Sequence, residues 1–161
     1  MTNLNNIFNP LFLKNKELKI AFELLFFAIK DFDRNISFLL KKFGYNKTHF
    51  AVIFLASNNY YLTIKDLLII LDIKKQSLSK IINKLKSDEI ITLKKSKKDK
   101  RNKNIYLTKK GLKIEKKITS KQINNIANAY KNAGKDSING FKKILLNLLS
   151  KTSKTILRNK I

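Results

Sequence analysis

The chain is 161 residues long and carries 35 Lys and Arg against 11 Asp and Glu, a formal net charge of +24 at pH 7. With 43% hydrophobic residues, 4 Gly and 1 Pro it can bury a core, so the charge belongs to a folded surface and not to a disordered basic tail. The lack of cysteine excludes a disulfide framework and a thiolate zinc site, and a single histidine, His49, speaks against a His-based metal centre or a Ser-His-Asp arrangement.

A surface so charged is expected to be held against a polyanion, either nucleic acid or an anionic membrane. Lys is abundant together with Asn and Ile, as codon composition alone can produce, so the position of the charge says more than its total. Residues 1–73 hold 9 basic and 6 acidic side chains, 74–113 hold 15 and 3, and 114–161 hold 11 and 2, giving nets of +3, +12 and +9. Half of the net charge thus falls in a quarter of the chain. Residues 1–10 lack the basic start and apolar block of a secretory signal, and charges such as Glu23 and Lys30 interrupt each apolar run, so a cytoplasmic chain with no membrane partner is expected.

In chain order, Leu18, Phe22, Leu25, Ile29, Phe32, Ile36, Leu39 and Phe43 recur at spacings of four and three, the seam of a long helix over Glu17 to Phe43. Leu24, Phe26, Phe27 and Ala28 widen that apolar surface beyond what a small domain covers, which implies a partner helix. Gly44 marks the end of this helix, and Thr48 is expected to cap the next, through Phe50, Ile53, Phe54 and Leu55 up to Asn58-Asn59. Tyr60 to Thr63 reads as a short strand, with Thr63 capping a helix over about Ile64 to Leu71.

A further helix is predicted over Lys75 to Ser87. Leu78, Ile81, Ile82 and Leu85 make its apolar face, and Gln76, Ser77, Ser79, Lys80, Asn83 and Lys84 make the opposite one. The β-branched runs Ile90 to Leu93 and Ile105 to Thr108 bracket the cationic stretch 94–103, which reads as a two-stranded ribbon with a basic tip. Thr108 is expected to cap a helix through Ile114, Ile118, Ile126 and Tyr130. After a loop at Gly134, a last helix carries Phe141, Ile144, Leu145, Leu148 and Leu149. No Gly-rich phosphate loop, paired carboxylate motif or metal-spaced cluster is present, so neither an enzyme nor a cofactor is expected.

From about Thr48 to Thr108 this order is that of a winged helix-turn-helix, whose second helix enters a DNA major groove while the hairpin reaches the flanking minor groove. Leu62-Thr63-Ile64-Lys65-Asp66-Leu67-Leu68, Lys75-Gln76-Ser77-Leu78-Ser79-Lys80, Asp99-Lys100-Arg101 and Leu107-Thr108-Lys109-Lys110-Gly111 resemble the MarR family of regulators over nearly the whole chain. Glu23-Leu24-Leu25-Phe26-Phe27-Ala28 and Ala129-Tyr130-Lys131-Asn132-Ala133-Gly134 further resemble its PetP-type branch.

The resemblance implies a mainly α fold with a small β-hairpin wing. Residues 1–44 and 111–161 would be dimerisation regions and 45–110 a DNA-binding lobe. It implies double-stranded DNA and a second copy of the chain as partners. Lys75, Gln76, Ser77, Ser79, Lys80 and Lys84 would face bases and phosphates, and Lys97, Lys98, Asp99, Lys100, Arg101 and Lys103 would form the wing, with Arg101 in the minor groove and Asp99 steadying it. It also implies a small-molecule effector site, for which Phe26, Phe27, Tyr45, His49 and Phe54 are candidates and equally good core.

Arg101 is one of three arginines in a lysine-rich chain, and a weakly hydrated guanidinium suits a narrow groove better than an ammonium. Asp88-Glu89 stand where the family usually has glycine before the first wing strand, which leaves the angle of the wing open; Leu93 and Lys94 replace a commoner Arg-Arg pair. Two other readings of the same charge are a sequence-tolerant DNA-coating protein and an RNA-associated basic protein.

Overall fold

In chain order the computed structural model, which describes residues 13–58, 62–95 and 103–157, contains α1 (Asn15–Lys42), α2 (Lys47–Asn58), α3 (Ile64–Leu71), α4 (Lys75–Ser87), β1 (Ile91–Lys95), β2 (Lys103–Leu107), α5 (Lys109–Leu148) and α6 (Lys151–Leu157). The fold is therefore mainly α with one antiparallel hairpin, as the sequence predicts. Ile91 pairs with Leu107 at its base and Lys95 with Lys103 at the open end.

Capping explains most of the boundaries. Thr63 accepts from the Asp66 amide while the Asp66 carboxylate accepts from the Thr63 amide, a reciprocal box that starts α3. Thr108 accepts from the Gly111 amide and starts α5. At the head of α2 the cap is not Thr48, which lies inside the helix, but Asn46, whose Oδ1 accepts from the amides of Thr48 and His49 at 3.0 and 3.1 Å. Asn46 wins because the left-handed residue before it in the chain, Gly44 at φ +68, ends α1 two residues earlier and leaves Asn46 in the capping position.

Three other expectations change. Of the expected strand at Tyr60 to Thr63, residues 59–61 lie outside the described residues. Thr63 makes one isolated bridge to Asn104, and Leu62 accepts from the Ile105 amide at 2.8 Å. The loop expected at Gly134 is a sharp kink, with φ 76 and ψ 164 at that one residue, inside a helix that otherwise runs for 40 residues. A short α6 follows that the sequence did not suggest.

The fully buried side chains are Leu40 of α1, Val52 and Ile53 of α2, Leu67 of α3, Leu78 and Leu85 of α4, Ile90, Ile105 of β2 and Ile118 of α5. This core lies in the winged lobe and takes one or two side chains from each long helix. Much of the remaining apolar surface of α1 and α5 stays open: Phe22 is 72% exposed, and Leu24, Phe27, Ile29, Phe38, Ile123, Ile144 and Leu148 are all more than half exposed. A long amphipathic helix normally buries such a stripe against another element.

Candidate nucleic-acid interface

The centre of the candidate surface is α4. Leu78, Ile82 and Leu85 are buried and fix its rotation, so Lys75, Gln76, Ser77, Ser79, Lys80 and Lys84 are all exposed. At 100° per residue, Gln76, Lys80 and Asn83 occupy the middle of the outer face, with Lys84 and Ser77 toward one edge and Ser79 and Lys75 toward the other. Asn83, which the sequence places on this face but not among the expected contacts, is thus about as central as Lys80. The helix contains no carboxylate from end to end.

Lys84 is differently placed from the other cations. Its Nζ donates to Asp88 Oδ2 at 3.0 Å and lies 5.8 Å from the Tyr45 ring, while the Tyr45 hydroxyl donates to the same carboxylate oxygen at 2.9 Å. Asp88 therefore ties the C-terminal end of α4 to the segment leading into α2. The hydrogen bonds from Lys84 and then Tyr45 hold its carboxyl below the usual carboxylate range. Burial, reinforced by the carboxylate it bonds, drives the Tyr45 phenol well above its ordinary value.

His49 stacks on Tyr45 with centroids 5.1 Å apart, and its Nδ1 lies 2.7 Å from Asn46 Oδ1. The Asn46 backbone amide also donates to Nδ1 at 3.2 Å, so which of the two Asn46 groups the ring nitrogen engages follows its tautomer. Burial, then the positive charge of Lys84, lowers the His49 pKa, with Asp88 opposing.

The turn from α4 into the wing resolves the question raised by Asp88-Glu89. Glu89 sits at φ 58, its amide bonds Lys86 O at 3.0 Å, and Ile90 N bonds Leu85 O at 2.8 Å. A glutamate thus adopts the left-handed helix-end conformation normally given to glycine, as Gly44 does at the end of α1. Beyond it, Gly111 meets the wing base so closely that a Cβ there would lie 2.1 Å from Ile90 O. The wing direction is set by these two backbone contacts.

Of the wing residues, Lys103 is exposed and directly opposite Lys95, and Lys94 lies 5.6 Å from the Tyr106 ring. Lys97, Lys98, Asp99, Lys100 and Arg101 lie outside the described residues. Like charges facing each other across a ladder destabilise it unless an anion lies between or over them.

The five aromatic effector candidates are not gathered within one chain. Phe26 and Phe27 touch edge to face on open α1, Tyr45 stacks on His49, and Phe54 stacks on Phe50 at 5.6 Å. Along the α1 axis, Phe27 is about 25 Å from the Tyr45 end at 1.5 Å per residue. Two cavities lie elsewhere: one of about 320 Å³ is lined by Asp66, Ile69, Ile70, Thr152, Thr155 and Ile156. The other, of about 280 Å³, is lined by Lys30, Asp33, Arg34, Ser37 and Lys47.

The MarR family model matches residues 36–102, from the end of α1 into the wing. Over 135 residues the chain is 29% identical to the HTH-type transcriptional regulator PetP of Rhodobacter capsulatus, covering 84% of this chain and 81% of that one. Among solved structures it is similar to the transcription regulator MarR of Oenococcus oeni, with a TM-score of 0.59, 25% identity, and coverage of 80% of this chain and 97% of that one. It is also similar to a MarR variant of E. coli complexed with operator DNA, with a TM-score of 0.56, 19% identity, and coverage of 88% and 100%. The helix order, the hairpin behind α4 and these likenesses agree: the chain has a winged-helix fold and is similar to the MarR family of transcriptional regulators, whose model matches its residues 36–102.

Proposed function

We propose that the chain acts as a homodimer that reads a pseudo-palindromic DNA operator, with α4 in the major groove and the basic wing in the flanking minor groove. The observation that carries this reading is the outer face of α4: polar and cationic side chains, no carboxylate, on a helix whose buried face permits only one orientation. Short Ser and Gln side chains there let the backbone approach base edges, and Lys80 supplies phosphate contact. The opposed Lys95 and Lys103 make the wing a better ladder beside a polyanion than without one. The E. coli neighbour complexed with operator DNA supports the same use of the fold.

Dimerisation is supported by the open apolar faces of α1 and α5. Residues 1–44 and 111–161 then form the dimer region and 45–110 the reading lobe. Two lobes held at a fixed separation bind cooperatively when that separation matches the DNA repeat, so an effector would act by changing it.

Selection from a random duplex library at physiological salt tests the reading. A recovered palindrome with half-sites about ten base pairs apart is expected. A preference for selected over random duplex well below about 10³ would favour a DNA-coating protein instead. Stronger binding to structured RNA than to either duplex would point to an RNA-associated role.

A further inference from the structure

Helix α5 carries a charge that α4 and the wing do not account for. Helix α5 alone bears ten lysines against Glu115 and Asp136, and all ten are exposed. Six of them fall into two groups at the end nearest the wing. Lys110, Lys117 and Lys121 are engaged within the molecule: Lys110 faces Glu89 at 3.8 Å, Lys117 lies 5.7 Å from the Phe43 ring, and Lys121 donates to Asn35 at 2.9 Å.

Lys109, Lys113 and Lys116 form a parallel stripe that makes no ion pair, hydrogen bond or cation–π contact among the described residues. They lie diametrically across the helix from Ile118 and Gln122, which are buried. The stripe continues through Ser120 and Asn124 without meeting a carboxylate, because Glu115 points to the other flank, where it accepts from Thr119 at 3.3 Å. It also starts where the wing ends: β2 closes at Leu107, and Lys109 is the first helical residue after the Thr108 cap.

We infer that Lys109, Lys113 and Lys116 bind the phosphate backbone of duplex DNA flanking the operator, so that the interface extends from the wing base onto the first two turns of α5. The inference rests on the DNA-binding reading and deepens it. From Lys109 to Lys116 the stripe rises about 10 Å, at 1.5 Å per residue. Duplex DNA carries a charge about every 1.7 Å of axis, so a stripe of that length can neutralise several phosphates if the flank leans toward it. Such contacts carry affinity and salt dependence but no sequence preference.

The test compares two duplexes in salt titrations with the full chain: the selected operator core, and the same core extended by about ten base pairs on each side. The variant is Lys109→Gln/Lys113→Gln/Lys116→Gln, whose exposed positions leave the core intact, checked by its melting temperature. With the wild-type chain, log affinity should fall more steeply with log salt on the extended duplex. The triple variant should lose up to about three in slope per protomer on the extended duplex, near 0.9 per contact, and change little on the core.

A variant slope equal to the wild-type slope on the extended duplex overturns the inference, as does an equal loss on both duplexes, which would place the stripe on the operator itself. Comparison with the variant removes the effect of duplex length alone. If the wild-type chain binds neither duplex at low salt, the DNA-binding reading fails with it; if it binds both and the extension changes nothing, only the flanking contact fails.

Discussion

Three residues, His49, Asp88 and Glu89, make separable predictions. His49 has a lowered pKa in the fold, whereas in an unfolded chain it titrates near the ordinary value of about 6.5. Between those two values the unfolded chain binds more protons, so stability falls as pH drops through about 6.5 toward the lower folded value. Replacing His49→Gln should flatten urea-derived stability across that window. Asp88 titrates lower still, and its contribution, present above about pH 4, is lost as pH falls toward its depressed folded value.

Glu89 contributes in the opposite direction. Its left-handed backbone costs about 1–2 kcal/mol for an L side chain, against about 0.4–1 kcal/mol of added chain freedom when glycine is introduced. Glu89→Gly should therefore stabilise the protein by about 0.5–1 kcal/mol in urea unfolding. Its distant, exposed ion pair with Lys110 subtracts little. The sequence showed that a glycine was missing here, but not whether the turn would change or the glutamate would bend, because that choice depends on Leu85 and Ile90 both being buried on either side of it.

Elements anchored at both ends were legible in the sequence. Helix α4 has the bounds its apolar spacing predicts, Lys75–Ser87, and Thr63 and Thr108 cap as expected. What escaped depends on long-range contacts. The Lys84–Asp88–Tyr45 tie links residues 43 positions apart and cannot be read from local spacing. The short α6 has neither a strong apolar stripe nor an acidic first turn to announce it.

The division of labour along α4 is measurable. Lys80→Ala should lower the slope of log affinity against log salt by about one, as for a phosphate contact, while Lys84→Ala should leave the slope nearly unchanged and loosen the helix instead. At the start of α5, Gly111→Ala forces a methyl into the Ile90 carbonyl. A loss of about 1–3 kcal/mol or more is expected in thermal or urea unfolding, with the wing base displaced.

At the scale of the whole molecule two forces oppose each other. Apolar faces of α1 and α5 favour a second copy, while +24 on each chain repels it. Added salt screens the repulsion and leaves the apolar term, so self-association should strengthen with salt while DNA binding weakens. Phe22→Asp places a charge at the most exposed of these apolar sites and should shift sedimentation toward a single chain without unfolding the lobe, whose core does not include Phe22.

The kink at Gly134 gives α5 the mechanics of a jointed lever. The arm from Lys109 to Ala133 is helical without a break and about 37 Å long at 1.5 Å per residue, and its far end is clamped to the wing base through Thr108 and Gly111. A turn of about 10° at that joint sweeps the clamped end through about 6 Å over such an arm, nearly two base-pair steps of 3.4 Å each. A small torque on the distal segment is thus enough to carry a reading head out of step with the double helix.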